Sequence, residues 1–199
     1  MGTTELIALA AALGWASGLR LYAVVFLTGL AGRLAWVDLP AGLQVLESWP
    51  LLMVSGTMLL AEFVADKLPW FDSIWDGAHT FIRVPAGAAL AAGVFGWDQA
   101  QAATIAALLG GTLAATAHTA KASTRAMVNT SPEPFSNIAL SLAGDAAVPA
   151  LLWLAWEHPI AFFVALAIGL VTMVVVIVLL ARFVRALWQR GFKRPPRTA

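Results

Sequence analysis

The sequence has 199 residues, of which 60% are hydrophobic and 12% are charged, with a formal net charge of +1. Soluble domains average about 25% charged residues, so this composition excludes an ordinary soluble protein. Cysteine is absent, which excludes disulfides, thiolate metal sites and cysteine nucleophiles. We predict an all-α polytopic membrane protein with about six transmembrane helices, because the bilayer core needs about 20 helical residues per crossing.

Hydropathy, with Gly, Pro and charged residues as breaks, places these crossings along the chain. They cover Thr3–Leu34, Leu51–Lys67, Val84–Trp97, Gln101–Val128, Phe135–Trp156 and Ile160–Leu187. The first is too long for one straight crossing, and small and polar residues from Gly14 to Arg20 interrupt it. Ala35–Pro50 is predicted to be re-entrant or interfacial. Pro69–Arg83 is predicted to be a short interfacial helix, because its apolar residues recur with a helical period.

The crossings form one predicted transmembrane domain over residues 1–187, followed by a basic tail over residues 188–199. From Arg182 onward the sequence holds six cations and no acid. The positive-inside rule then predicts that both termini are cytoplasmic, in the inner (plasma) membrane of a bacterium. We expect the tail to contact anionic lipids. A homo-oligomer is compatible with the sequence, and neither nucleic acid nor a cofactor is expected as a partner.

The two halves of the domain, about 1–98 and 99–187, show a weak internal similarity. Aligning Arg20 with Arg125, with a shorter connector in the second half, brings Glu62 opposite Asp145. Three crossings per half would give the halves opposite orientations, as in the inverted repeats of many transporters. The sequence therefore predicts a 3+3 inverted repeat with interrupted helices.

Three segments carry a family resemblance. They are Ala16-Ser-Gly-Leu-Arg-Leu-Tyr22, the long motif from Glu62 to Gly87 that contains Asp-Lys-Leu-Pro-Trp-Phe-Asp, and Lys121-Ala-Ser-Thr-Arg125 with the following Asn129 to Asn137. Together they resemble a family of small bacterial integral membrane proteins known only as a domain of unknown function. The resemblance covers most of residues 5–180 and supports the fold. It implies no particular chemistry.

Charged residues inside the predicted crossings mark a functional site, because each costs about 2.5–3.5 kcal/mol to insert. The cations and the amide donors expected at the start of the fifth helix predict a site for an anionic solute. The residues predicted to bind this solute are Arg20, Tyr22, Lys121, Arg125, Asn129, Ser136 and Asn137. Ion or proton coupling is predicted at Glu62, Asp66, Asp76, His79 and Asp145. Salt bridges that merely lock helices together are the alternative, with Asp145 paired to Arg20, Lys121 or Arg125.

A metal site is a weaker hypothesis for part of the same region. Asp72, Asp76 and His79 recur at positions i, i+4 and i+7, so one helix face presents two carboxylates and an imidazole. Such groups can coordinate a divalent cation. The alternative is a solvated polar face on an interfacial helix.

These patterns favour a transporter or channel for a small anionic solute, acting through a polar cavity between the repeats. One alternative is an intramembrane enzyme similar to a lipid-phosphate phosphatase, with His79 in acid/base chemistry. Another is a non-catalytic assembly partner that uses the small-residue faces Ala86–Gly93 and Gly110-Gly111.

Overall fold

The computed structural model describes residues 1–68, 71–128 and 135–191. Within these ranges the chain is helical and contains no strand. The six long helices are α1 (Thr3–Arg33), α2 (Trp49–Ala65), α3 (Phe71–Gly93), α4 (Ala100–Val128), α5 (Phe135–Glu157) and α6 (Pro159–Gly191). A 3₁₀ segment, Ala41–Glu47, precedes α2. The helix ends agree with the predicted crossings within a few residues, except in α3.

Four of the described helices are long and apolar enough to cross a membrane. They are α1, α4, α5 and the part Pro159–Ala186 of α6. The 3₁₀ segment and α2, which meet at an angle of 69°, make a fifth if they count as one bent span. The protein is therefore a multi-pass helical membrane protein. The most apolar stretch of α6 has no residue buried inside the protein, as expected for a helix that faces lipid.

The first helix, α1, folds back on itself at Arg20. The backbone of Arg20 is extended rather than helical, with φ −148° and ψ 87°. Leu6, before the break, lines the same cavity as Leu39, and Gly32, after the break, lies against the Leu39 side chain. On one straight helix Leu6 and Gly32 would be about 39 Å apart, at 1.5 Å per residue. The two arms of α1 therefore form a hairpin with Arg20 at its tip.

The hairpin separates the first residue of the chain from the end of α6. Met1 lines a cavity together with Asp98, which lies just before α4. Arg185 in α6 lies beside Met127, at the other end of α4, about 40 Å away along that helix. The first residue and the end of α6 therefore lie at opposite ends of α4, and the cytoplasmic location of both termini stays a prediction. The segment predicted as a single crossing enters and leaves the bundle at the same end.

Small residues let the first arm of α1 pack closely against α4. A Cβ atom at Gly14 would collide with the backbone of Gly110, and one at Gly18 with the backbone of Ala114. Only glycine permits this approach at the two positions, a common device between membrane helices. The contacts advance in the same direction along both segments, so the arm and α4 run parallel. An inverted repeat that pairs these two segments would need them antiparallel.

The predicted boundary between an interfacial helix and a third crossing is wrong, because α3 runs without a break through Pro85. A proline removes one helical hydrogen bond and often ends or kinks a helix. Here α4 supports both sides of it. Before the proline, Thr80 hydrogen bonds to His118 of α4, and after it Gly87 lies against Ala114.

Candidate functional site

Charged side chains from α1, α3, α4, α5 and the end of α2 meet at the tip of the hairpin. The cations are Arg20, Arg83, Lys121 and Arg125, and the carboxylates are Glu62, Asp66, Asp76 and Asp145. Lys67, in the turn after α2, adds a fifth cation at the edge. We call these nine residues the ion cluster.

Arg20 links the hairpin tip to two other parts of the bundle. Its Nη2 atom lies 2.8 Å from Oδ2 of Asp66, and its Nε atom lies 2.9 Å from Oδ1 of Asp145. Nη2 also donates to the carbonyl oxygen and the hydroxyl of Ser141, at 3.0 Å each. Because only 1% of Arg20 is exposed, these partners replace the water that the guanidinium has lost.

Lys121 stabilises the end of the first arm of α1. Its Nζ atom donates to the carbonyl oxygen of Leu19 at 3.0 Å. That carbonyl lies just before the break, where the last turn of a helix has no amide partners and carries partial negative charge. The same amine lies 3.3 Å from Asp76 Oδ1 and 3.5 Å from Asp66 Oδ2. One cation thus supports the broken helix and joins the ion cluster.

Arg83 forms the most deeply buried ion pairs of the cluster. Its guanidinium lies 2.6 Å from Glu62 and 2.8 Å from Asp76. Arg83 and Glu62 are both fully buried. His118 extends this contact, because its Nδ1 atom lies 3.2 Å from Arg83 Nη1 and its Nε2 atom 2.7 Å from the Thr80 hydroxyl. These bonds fix α3 against α2 and α4.

Asp66 is the hub of the cluster. It is fully buried, and it pairs with Arg125 at 3.1 Å as well as with Arg20 and Lys121. Asn137 of α5 donates to its backbone carbonyl at 3.4 Å. Neighbouring Lys67 lies 3.7 Å from Asp145, and partial burial lowers the pKa of its amine. The turn after α2 therefore joins three other helices.

His79 lies in a separate polar group. Its Nδ1 atom is 2.7 Å from the carbonyl oxygen of Trp75, which can only accept a hydrogen bond. Nδ1 is therefore the donor, and in the neutral ring Nε2 accepts from the Tyr22 hydroxyl at 3.0 Å. The ring also stacks on Trp75, with centroids 4.3 Å apart. These contacts anchor the second arm of α1 to α3.

A cavity of about 270 Å³ lies beside the cluster, between the hairpin tip, α4, α5 and α6. Three cations line it: Arg20, Lys121 and Arg125. The rest of its wall consists of aliphatic or small residues and two threonines. A mainly apolar pocket with a few convergent polar groups is the usual form of a small-molecule site.

A family comparison agrees with the resemblance seen in the sequence. The model of a family described as a domain of unknown function, DUF4126, matches residues 7–179. The chain belongs to this family. No curated protein and no solved structure matches the chain.

The structure of this DUF4126 protein brings together three of the seven residues predicted to bind a solute. Arg20, Lys121 and Arg125 line the cavity. Asn137 contacts the cluster through the backbone of Asp66.

The other three predicted solute-binding residues are placed differently. Tyr22 faces His79. Ser136 is in the first turn of α5, and Asn129 lies outside the described residues.

The residues predicted for coupling divide into two groups. Glu62, Asp66, Asp76 and Asp145 belong to the ion cluster, whereas His79 does not. In the structure Asp145 pairs with Arg20, which is one of the three partners that the sequence left open for it.

The metal hypothesis finds little support in the described side chains. Asp76 is occupied by Arg83 and Lys121, and His79 by Trp75 and Tyr22. Among the side chains that the structure describes, no group of three acidic or histidine residues could hold a metal ion. The Asp72 side chain is not among them.

Sequence reasoning missed two parts of the site. It did not identify Ser141 as a partner of Arg20 or Lys67 as a partner of Asp145. A signal for the first was present, since Asn137, Ser141 and Asp145 follow at steps of four and so share one face of α5. No local pattern indicated the second, because it depends on how the turn after α2 meets α5.

Proposed function

We propose that the protein is a transporter or channel for a small anionic solute, which binds in the cavity at the tip of the α1 hairpin. The observation that carries this proposal is that Arg20 from α1 and Lys121 and Arg125 from α4 reach one cavity. Charges buried at a broken helix are typical of substrate sites in transporters. In a bundle with a purely structural role we would expect apolar side chains at these positions, because burying so many ions requires their desolvation.

The path on the opposite side of the hairpin tip is closed. Leu9 and Leu13 in the first arm, Leu152 in α5 and Phe162 in α6 are buried in one apolar core. A solute that enters the cavity can pass this core only if helices move. The proposal is therefore alternating access, rather than a permanently open pore.

Asp145 is the best candidate for the coupling group. It is the most exposed of the four carboxylates in the ion cluster. Its side chain is 23% exposed, whereas those of Glu62, Asp66 and Asp76 are at most 3% exposed. Asp145 is therefore the carboxylate of the cluster that a proton can reach most directly, and its neutralisation would release Arg20. The 3+3 inverted repeat stays a prediction, and the parallel course of α4 and the first arm of α1 counts against it.

The two alternative functions are less well supported. A phosphatase mechanism needs an acid/base group beside the cations, but His79 is not among the described residues that line the cavity. An assembly partner would use free small-residue faces. A Cβ at Gly110 would collide with Ala91, and one at Gly87 with Ala114, so these faces already pack inside the chain.

Flux of anions into proteoliposomes tests the proposal, with two phenylalanine variants of α5 as a matched pair. Ala147 lines the cavity, whereas the adjacent Ala146 is exposed and does not line it. We expect Ala147→Phe to reduce flux about tenfold or more, the equivalent of about 1.4 kcal/mol in solute affinity, and Ala146→Phe to leave it unchanged. Equal flux in both variants, or no flux of any anion above empty vesicles, would contradict the proposal.

A further inference from the structure

We infer that Trp15 is a gate residue of the proposed transporter, and that its contact with Met173 closes the cavity on the side that faces the apolar core. This inference rests on the proposed function, since it names the barrier that a solute must pass beyond the cavity. Three observations carry it: the position of the Trp15 ring, its fit against Gly169 of α6, and the weak hydrogen bond that holds it.

The Trp15 ring lies between the cavity and the apolar core. Leu19, one helical turn after Trp15 on the same face of α1, lines the cavity. Met173 of α6 also lines it, and it contacts the Trp15 indole. The Trp15 side chain is buried and belongs to the same core as Leu13 and Phe162. Trp15 therefore forms the part of the core that is next to the cavity.

The Trp15 ring also spans the gap between α1 and α6. A Cβ atom at Gly169 would collide with the six-membered part of the indole, so the ring occupies the space that a side chain would fill at this position. Along α6, Gly169 lies between Phe162 in the core and Met173 at the cavity. With the ring in this slot, α1 and α6 are in contact across the route out of the cavity.

The polar contact that holds the ring is weak. The Nε1 atom of Trp15 donates to the sulfur of Met173 at 3.2 Å, and a thioether is a weak acceptor. Methionine is unbranched and adapts its shape to its surroundings. A ring held by one weak hydrogen bond and by apolar contacts can leave its slot without leaving a charge buried and unpaired. Trp15 thus combines a closed contact with a low cost of opening, as a gate requires.

Labelling of a cysteine on the far side of the ring tests the inference in the purified full-length protein. Ala12 is fully buried and lies one turn before Trp15, and the natural chain has no cysteine. We expect an anionic methanethiosulfonate to react with Ala12→Cys about tenfold faster or more once Trp15→Ala removes the ring. Trp153→Ala is the matched control, because Trp153 of α5 is exposed, and it should leave the rate unchanged. Equal rates with both variants would overturn the inference.

A further substitution shows whether the reagent passes through the cavity. Ala147 lines the cavity, whereas Ala146 does not. Added to Trp15→Ala, Ala147→Phe should return the labelling of Ala12→Cys close to its original rate, and Ala146→Phe should not. If removal of the ring merely loosened the core, both substitutions would give the same rate. That result would also overturn the inference.

A milder variant serves if Trp15→Ala does not fold. Met173→Leu removes the sulfur acceptor and nearly conserves the volume. With this hydrogen bond lost, labelling of Ala12→Cys should rise about twofold to fivefold. Met53→Leu, at an exposed position of α2, should leave the rate unchanged. No difference between the two methionine variants would contradict a gate at Trp15.

Flux measurements on the same variants separate this inference from the proposed function. Anion flux through the wild type, together with labelling of Ala12→Cys that does not depend on Trp15, would overturn the gate and leave the transporter intact. Labelling that depends on both Trp15 and Ala147, without flux of any anion, would support the barrier at Trp15 and refute the transporter.

Discussion

Replacement of Asp66 by asparagine tests whether the ion cluster holds the bundle together. Asp66 is fully buried and contacts Arg20 at 2.8 Å, Arg125 at 3.1 Å and Lys121 at 3.5 Å. Asparagine has nearly the same shape as aspartate but lacks the negative charge that balances these three cations. Removing one partner of a buried ion pair costs about 3–5 kcal/mol, because the other charge stays buried without compensation. We expect Asp66→Asn to lower the free energy of unfolding by that amount.

Equilibrium unfolding in mixed detergent micelles, followed by the fluorescence of the nine tryptophans, measures this loss. Asp38→Asn is the control, since Asp38 is exposed and in no described ion pair, and it should change stability by at most about 0.5 kcal/mol. The double variant Asp66→Asn with Arg125→Gln should recover part of the loss, with a coupling energy of about 0.5–3 kcal/mol. A loss no larger than that of the Asp38 control would refute the reasoning.

Three further predictions follow from the hairpin and the cavity. Gly18→Leu should prevent close packing against Ala114 and abolish the folded, monodisperse protein in detergent, whereas normal yield and elution would show that the approach is not needed. Gly144→Ala should raise the free energy of unfolding by about 0.5–1 kcal/mol, because alanine is the better helix residue and its methyl group would make an ordinary van der Waals contact with Arg20; a loss of stability would contradict this fit. In intact cells an impermeant maleimide should label single cysteines at Thr4 and Ala186 from opposite sides of the membrane, and labelling from the same side would contradict the hairpin.

Hydropathy and the positions of Gly and Pro predict most helix boundaries in this chain. They also predict the interruption of the first segment near Arg20. They do not predict the hairpin, because a mainly apolar segment of 31 residues has the same composition whether it continues or turns back. The extended backbone of Arg20 alone reverses the direction of the chain between the two arms.

The ionisable residues of the site were predictable because charges are rare inside membrane segments. Their partners were less so. Position along the chain does not distinguish Glu62 from Asp66 as a partner of Arg20, but the structure pairs Arg20 with Asp66 and Glu62 with Arg83. Glu62 and Asp66 are one helical turn apart, so the choice depends on the register between helices. Spacing within one helix does not contain that information.

The accessibility of a cysteine at position 147 tests the central claim most directly, and the natural chain has no cysteine to interfere. In Ala147→Cys, the thiol would face the cavity lined by Arg20, Lys121 and Arg125. We expect an anionic thiol reagent to react faster than a cationic one of equal size, and small anions to slow the reaction, while Ala146→Cys shows neither effect. Equal rates for both reagents, with no protection by any anion, would contradict an anion site in this cavity.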